Sequence, residues 1–321
     1  MRRVFQAARI ATVATALVAG AIPRTVVGQD MLSIVTGPTG GTMYAISAAL
    51  TDVVNRNLKD LRLTNTAGGG SLYTLKVLSN GEADFAMSGN DVSLDALKGA
   101  GSFAGKPFPE LRGVTSLFIE AFHVVVRADS PIRNFDDLKG KRIAVGPPAS
   151  GTGLASQRVL PLLGLPPDSY RKLELGFQES ADYLRDGNVD AVVYQVGLPY
   201  GPVVDVSISR PVRVLQIPDA AIRKIQEAFP FYVKVPVAGD TYRGMQEPVN
   251  AVAVKMLLVT TTKASEKAVY DTVRQLYDNL GTVRASHKAG ESISLEKALD
   301  GMTVPLHPGA ERFFRERGLV K

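Results

Sequence analysis

Hydrophobic and polar positions alternate along the chain in a pattern that predicts strands and helices in turn. Residues 32–36 predict a strand, and the apolar residues after Thr42 recur three and four positions apart, as on one face of a helix. Residues 62–66 and 83–87 predict two further strands, with a helix between them that opens after a glycine run. This alternation indicates an α/β protein with a mainly parallel sheet and helices on both faces.

The second half of the chain repeats this order in outline. The glycine turns at Gly37 and Gly146 lie 109 residues apart, and those at Gly81 and Gly187 lie 106 apart. Nearly equal offsets favour two similar lobes. The alternative is a chance recurrence of strand, glycine loop and helix.

Two long apolar segments, 122–127 and 249–260, flank the second repeat and predict crossover strands, while 111–118 predicts a separate strand before them. We therefore expect two lobes joined by two hinge strands. Lobe I is predicted to contain 29–121 plus 255–321, and lobe II to contain 122–254.

The first 28 residues carry a different pattern. Three arginines precede the charge-free run 10–22, which is too short to cross a bilayer and suits the core of a secretory signal. Small residues then allow cleavage after Gly28 or earlier after Ala21. We expect residues 1–28 to be removed and the mature chain to reside in the periplasm.

The composition of the 321 residues excludes several classes of protein. The chain has no Cys, which excludes disulfides, zinc–thiolate sites, iron–sulfur clusters and thiol nucleophiles. The predicted signal segment contains four arginines and no acid, so its removal lowers the net charge from +6 to +2. The basic balance therefore gives little support for nucleic-acid binding.

Three glycine-rich turns are predicted at the carboxyl ends of strands, where helices present unpaired backbone N–H groups. They are Thr39-Gly40-Gly41-Thr42, Gly69-Gly70-Ser71 and Ser150-Gly151-Thr152-Gly153. No Lys or Arg lies within them, which favours a carboxylate ligand over a polyphosphate. Facing each other across a cleft, the turns would bind a small anion.

Further side chains are predicted near the same cleft. They are those of Ser88, Asn90, Asp91, Glu120, Tyr44, Tyr73, Tyr194 and Tyr200. For at least two of the four tyrosines, packing in the core is the favoured alternative. If Asp91 or Glu120 faces the cleft, it would hold an ammonium group and indicate an amino acid; the alternative for each is a helix cap or a solvated surface group. For His123, alone on an apolar strand, a structural role is favoured.

Enzyme motifs do not match. The first turn lacks the Lys of a phosphate-binding loop, the turn at Gly151 lacks the rest of a dinucleotide fingerprint, and no Gly-x-Ser-x-Gly elbow occurs. We expect no catalytic residue, no metal and no cofactor. An exported enzyme with Asp91 or Glu120 as general acid or base is the remaining alternative.

These motifs resemble those of a known family. The residues that carry the resemblance are Gly37 to Tyr44, Gly69 to Ser71, Gly81 to Asp84, Leu138 to Arg142, Val145-Gly146, Gly151-Thr152, Gly187 to Asp190, Gly197, Pro199 and Pro305 to Arg312. Over nearly all of the predicted mature chain they resemble the TAXI group of TRAP-transporter substrate-binding proteins. The resemblance implies a two-lobed type II periplasmic binding protein fold.

The resemblance also implies a function. The chain would bind a glutamate-like amino acid, a dicarboxylate or a 2-oxoacid and deliver it to the membrane permease subunits of a TRAP transporter. Carried over by position, the ligand loops, which now include Met43 and Gly197, are Thr39 to Tyr44, Gly70-Ser71, Ser88 to Asp91, Ser150 to Gly153 and Tyr194 to Tyr200. The alternative is a binding module that presents another small organic anion to an ABC permease or a sensor kinase.

Overall fold

The computed structural model describes residues 29–321, so the predicted signal segment lies outside it. The strands are β1 (Asp30–Val35), β2 (Leu61–Thr66), β3 (Phe85–Gly89), β4 (Leu111–Arg127), β5 (Arg142–Ala144), β6 (Arg171–Leu173), β7 (Ala191–Val196), β8 (Val212–Val214), β9 (Val233–Val237) and β10 (Val249–Thr261). The α-helices are α1 (Thr42–Asn57), α2 (Ser71–Ser79), α3 (Asn90–Lys98), α4 (Gly151–Leu162), α5 (Phe177–Asp186), α6 (Gly201–Ser209), α7 (Asp219–Ala228), α8 (Glu266–Asp278), α9 (Leu280–Ala285) and α10 (Pro308–Glu316). Within this range, no helix combines the length and apolar character needed to cross a membrane.

The strands of the described residues form one ten-stranded mixed sheet in the order β2-β1-β3-β10-β4-β7-β5-β6. Strand β8 pairs with β4, and β9 pairs with β10. The pairs at both ends of this order are parallel, whereas β4 and β10 are antiparallel to each other and to β3 and β7. The two crossover strands, β4 and β10, therefore join two halves into one continuous sheet. The first half contains the parallel strands β1, β2 and β3, and the second half contains the parallel strands β5, β6 and β7.

The hydrophobic core changes along the crossover strands. On β4, Phe118 packs with residues of the first half and the C-terminal helices, while Phe122 packs with the second half. On β10 the same change occurs between Val254 and Met256. These changes fall at the ends of the predicted lobes, whose limits stay a prediction.

The prediction of two separate segments, 111–118 and 122–127, is wrong in one respect. The structure has a single strand of 17 residues, β4, across both segments. Glu120 interrupts the apolar run in the sequence, yet it is buried inside the strand and opposite Val254 of β10. An acid in mid-strand made one crossover element resemble two.

Candidate functional site

Three helices begin at the space between the two halves of the sheet. α1 follows β1 with Gly41 as its N-cap, α2 follows β2 with Gly70 as its N-cap, and neither cap makes a side-chain hydrogen bond. α4 follows β5, and its N-cap Ser150 accepts a hydrogen bond only from the Gly153 N–H, at 3.0 Å. Because the first N–H groups of a helix have no partner within it, all three termini present free donors.

These termini line one cavity that holds about 30 Å³ of solvent, room for roughly one or two waters. Its lining is contributed by Gly37, Pro38, Gly41, Thr42, Met43, Gly70, Ser71, Glu120, Gly151, Thr152, Phe177, Gln195, Val196 and Tyr200. The lining comes from both halves of the molecule, so the size of the cavity depends on how the two halves are placed.

Two side chains add hydrogen-bond donors beside Gly151. The Ser71 hydroxyl accepts from the Gly89 N–H at 3.0 Å, so its own proton is free to donate. The Tyr232 hydroxyl donates to Gln195 Oε1 at 3.2 Å. The amide group of Gln195 is therefore oriented with its Nε2 donor toward Gly151. A Cβ atom on Gly151 would lie 3.3 Å from Ser71 Oγ and 3.5 Å from Gln195 Nε2. The absence of a side chain there keeps the donors accessible.

Glu120 supplies the one carboxyl group of the cavity lining, which includes no Lys, Arg or His. Its side chain is buried, with 5% of the residue exposed. Burial, and after it the charge of Asp91, raises the pKa of Glu120 well above its ordinary range. The cavity therefore combines several neutral donors with one acid.

Hydrogen bonds across the cleft hold the cavity closed. The Thr42 hydroxyl donates to the Gly197 carbonyl oxygen at 3.3 Å, and the Tyr73 N–H donates to the Ala149 carbonyl oxygen at 3.1 Å. The His287 ring lies 3.4 Å from the Thr42 hydroxyl through Nε2, while its Nδ1 accepts a backbone N–H. The proton is accordingly on Nε2, and His287 donates to Thr42. Helix α1 is thus hydrogen-bonded to the loop after β7.

A buried ion pair also crosses the cleft. Arg158 on α4 bonds to Asp91 on α3 at 3.2 Å and contacts Asp95 as well, and its guanidinium lies 5.5 Å from the ring centres of Phe229 and Phe231. Burial raises the pKa of Asp91 to about 6, although Arg158 acts in the opposite direction. The Asp91 carboxylate therefore pairs with Arg158, and it does not line the cavity.

Comparisons with known proteins identify the family of this chain. The family model that matches is that of the NMT1-like family, over residues 34–318. The chain belongs to the NMT1-like family. The resemblance to the TAXI group of TRAP-transporter receptors is therefore wrong, because the matching model is NMT1-like. The glycine turns that suggested the TAXI group belong instead to an NMT1-like chain.

Solved structures share the fold of this NMT1-like protein. The alkanesulfonate-binding protein SsuA from Xanthomonas axonopodis pv. citri, bound to MOPS, is 17% identical with a TM-score of 0.50; the match covers 90% of this chain and 84% of that chain. A structure described as a periplasmic transporter is 14% identical with a TM-score of 0.51, over 89% of this chain and 92% of that chain. The predicted two-lobed α/β type II periplasmic binding protein fold is confirmed.

Several predicted ligand residues of the NMT1-like chain lie away from the cavity. Thr39 and Gly40 form the exposed tip of the first loop, and Tyr44 is half-buried one position beyond the lining. The Ser88 hydroxyl bonds to the Gly89 carbonyl oxygen within β3. These four side chains or backbone positions have no part in the cavity wall.

Two other predicted residues, Asn90 and Tyr194, have structural contacts. The Asn90 side chain donates to the Gly301 carbonyl oxygen at 3.1 Å and accepts from the Lys255 N–H at 3.3 Å, so it ties α3 to the C-terminal segment. Tyr194 donates to the Phe177 carbonyl oxygen at 3.1 Å and lies behind the cavity-lining ring of Tyr200. The position of Asn90 at a sheet edge did not reveal that its partners are backbone groups.

The remaining predicted glycines and Ser150 shape the loops. Ser150 caps α4 and is not part of the cavity lining. A Cβ on Gly153 would lie 2.4 Å from the Pro147 carbonyl oxygen, and one on Gly197 would lie 2.6 Å from the Thr42 side chain. Gly153 therefore permits the turn, and Gly197 permits the close approach of α1.

Sequence reasoning missed three lining residues: Gly37, Pro38 and Phe177. Gly37 and Pro38 belong to the loop whose later residues were chosen. Gln195 and Val196 lie within the loop Tyr194 to Tyr200 that the resemblance carried over, and Gln195 is also a polar residue in the apolar run 191–196, which is a usable signal. Phe177 begins α5 and has no motif that marks it.

A chain of hydrogen bonds holds Tyr200 in place. The Tyr200 N–H donates to the Tyr242 hydroxyl at 3.0 Å, and that hydroxyl lies 3.4 Å from His123 Nε2. The other ring nitrogen of His123 donates to the Ala121 carbonyl oxygen at 2.9 Å. Burial lowers the pKa of His123 to about 4, so the ring is neutral and acts as a structural acceptor.

A larger groove of about 730 Å³, the outer groove, lies on the surface of the first half, away from the cavity. Its lining includes Lys76, Lys106 and Lys263 together with Asp84 and Glu110. Its lining contains no residue of the second half, so the outer groove is not shared between the two halves as the cavity is. Among residues 29–321, no cluster of three or more His, Asp or Glu side chains is arranged to hold a metal.

Proposed function

We propose that this NMT1-like protein is an exported solute-binding receptor whose two lobes close on a small organic anion. The observation that carries the proposal is the convergence of three helix N-termini, α1 and α2 from one half and α4 from the other, on one cavity without a cation. Helix N-termini with free N–H groups attract anions. A site divided between two halves suits a receptor that opens and closes.

The donor set favours a carboxylate or a sulfonate. Each helix terminus contributes about 0.3–1 kcal/mol when exposed and up to about 2 kcal/mol when partly buried. Micromolar binding needs about 8 kcal/mol, which several termini, the Gln195 amide and burial of an apolar body together supply. A polyphosphate would need the cations that the lining lacks. An alkanesulfonate-binding protein of the same fold is consistent with this choice.

We propose the periplasm as the site of action and an ABC-type permease as the membrane partner. The apolar segment 10–22 supports export. Membership of the NMT1-like family removes the TRAP assignment, and the ABC permease is the alternative that the sequence left open. The receptor would touch the membrane only through that partner.

A receptor role is favoured over the enzyme alternative. That alternative used Asp91 or Glu120 as a general acid or base, and Asp91 is paired with Arg158 outside the cavity. The Ser71 hydroxyl beside the free amides contacts the Gly89 N–H and no base. The described cavity therefore offers binding groups without an activated nucleophile.

Thermal unfolding of the purified mature chain tests the proposal. The panel contains L-glutamate, 2-oxoglutarate, ethanesulfonate and taurine, with inorganic pyrophosphate as the control anion. A ligand present at 100 times its Kd should stabilise the protein by about 2.7 kcal/mol, and pyrophosphate should have no effect. The proposal fails if every organic anion leaves the melting temperature unchanged.

The partner has its own test. Ligand-loaded receptor should stimulate ATP hydrolysis by the ABC permease encoded beside it, reconstituted in vesicles, and the empty receptor should not. Stimulation of a neighbouring sensor kinase instead would contradict the choice of a permease.

A further inference from the structure

Glu120 occupies the point where the two halves of the molecule meet. It lies on β4 between Phe118, in the core of one half, and Phe122, in the core of the other. It is buried, and it lines the same cavity as the helix termini at Ser71 and Gly151. Any ligand in this cavity is within reach of its carboxyl group.

Among residues 29–321, no hydrogen bond or ion pair engages the Glu120 carboxyl, and burial and the charge of Asp91 are what act on it. The nearby cation, Arg158, is already paired with Asp91 and Asp95. Two negative charges within a cavity of about 30 Å³ repel each other. An ionised Glu120 therefore opposes a bound anion that carries no cationic group, whereas a protonated one offers an O–H donor.

We propose that Glu120 is protonated when the cleft closes and donates its proton in a hydrogen bond to the bound anion, so that the pocket selects oxyanions without a positively charged nitrogen. This inference rests on the proposed function. It also decides between the two roles open to the acid, since an ionised Glu120 would instead hold an ammonium group.

The electrostatic surroundings support a protonated acid. Burial raises the pKa of Glu120 well above its ordinary range, and the charge of Asp91 on α3 acts in the same direction. The other ionisable neighbour is the Tyr200 hydroxyl at the start of α6, whose pKa is itself raised by burial and by Glu120. When the cleft opens, water reaches Glu120 and its pKa returns toward the ordinary range. Closing therefore takes up one proton.

Calorimetric titration of the full mature chain tests the inference with two matched pairs of probes. Each pair compares an anion with its amine-bearing counterpart: 2-oxoglutarate with L-glutamate, and ethanesulfonate with taurine. Titrations in buffers of different ionisation enthalpy count the protons taken up per ligand. They are run between about pH 7 and about pH 8.5, where Asp91 is already ionised.

The expected result is tighter binding of the amine-free member, uptake approaching one proton per ligand, and affinity that falls by up to about tenfold per pH unit as pH rises. Glu120→Gln should abolish the proton uptake and the pH dependence. Glu110→Gln, in the outer groove, should retain both. The proton count on the unaltered protein stands even if the Glu120 variant does not fold.

Three outcomes would each contradict either the role of Glu120 or the receptor function. Binding without proton uptake overturns the role of Glu120 and leaves the receptor function intact. Tighter binding of the amine-bearing member, lost in Glu120→Gln, overturns it in favour of an ionised counter-charge. Failure of all four probes to bind contradicts the proposed function itself.

Discussion

Access to the backbone donors depends on the missing side chain of Gly151. Its backbone has an ordinary conformation, and a Cβ there would lie between Ser71 Oγ and Gln195 Nε2, at 3.3 and 3.5 Å. Gly151→Ala should therefore weaken binding of the best anion of the panel by about tenfold or more, or about 1.4 kcal/mol. The free energy of unfolding should change by less than about 1 kcal/mol.

Gly40→Ala is the matched control for this variant. Gly40 is exposed, and a Cβ there would meet no atom within 4 Å. Titration calorimetry should give this variant the wild-type affinity. If Gly40→Ala weakens binding as much as Gly151→Ala, the tip of the first loop belongs to the site and the cavity described above is incomplete.

Residue type and local pattern predicted part of the cavity lining. The glycine turns at Gly41, Gly70 and Gly151 were predictable, because a glycine run before a helix marks a free N-terminus. The roles of the two acids were not predictable, since they depend on Arg158, which lies 67 residues beyond Asp91. Only the folded chain shows which acid is paired and which faces the cavity.

At the scale of elements, α3 and α4 are joined across the cleft by the Arg158 pair. Arg158→Met would leave the buried Asp91 and Asp95 without a counter-charge, which costs about 3–5 kcal/mol for a buried pair. Part of that cost disappears when the halves separate and water reaches the acids. We expect a larger radius of gyration in small-angle scattering and weaker anion binding.

A matched control is available in the second half. Arg142 pairs with Asp190 at 2.8 Å, with side chains that are 40% and 29% exposed, and both residues lie on the same side of the cleft. Arg142→Met should cost about 1–2 kcal/mol, because this partly solvated pair is bidentate, and should leave the radius of gyration unchanged. Unchanged scattering and affinity in Arg158→Met would show that the pair does not control closure.

The elements themselves followed closely from the periodicity of the sequence. α1 was predicted from its apolar face, and the strand 191–196 agrees with β7. β4 was divided in two because Glu120 breaks its apolar run, and local pattern contains no information about burial at a junction of two cores. This difference coincides with Glu120, the residue for which we propose a chemical role.

For the whole molecule, the near-equal spacing of the glycine turns predicted two lobes, and the fold comparison confirms that architecture. The assignment to the TAXI group was wrong, since the matching family model is NMT1-like, and a glycine turn that opens a helix reflects backbone anion binding and not a particular family. The backbone determines how a turn binds an anion, and it carries no mark of the partner. Transport type is therefore a property of surfaces that these motifs do not describe.

The central claim is that amide groups from both lobes bind one anion together. The most direct test is an NMR titration of the ¹⁵N-labelled mature chain with 2-oxoglutarate and with ethanesulfonate. For the anion that binds, the amide resonances of Ser71 in one lobe and of Gly151 and Thr152 in the other should shift together, with one Kd and one ligand per chain. Shifts confined to one lobe, or centred on the outer groove at Lys76 and Lys106, would contradict the account.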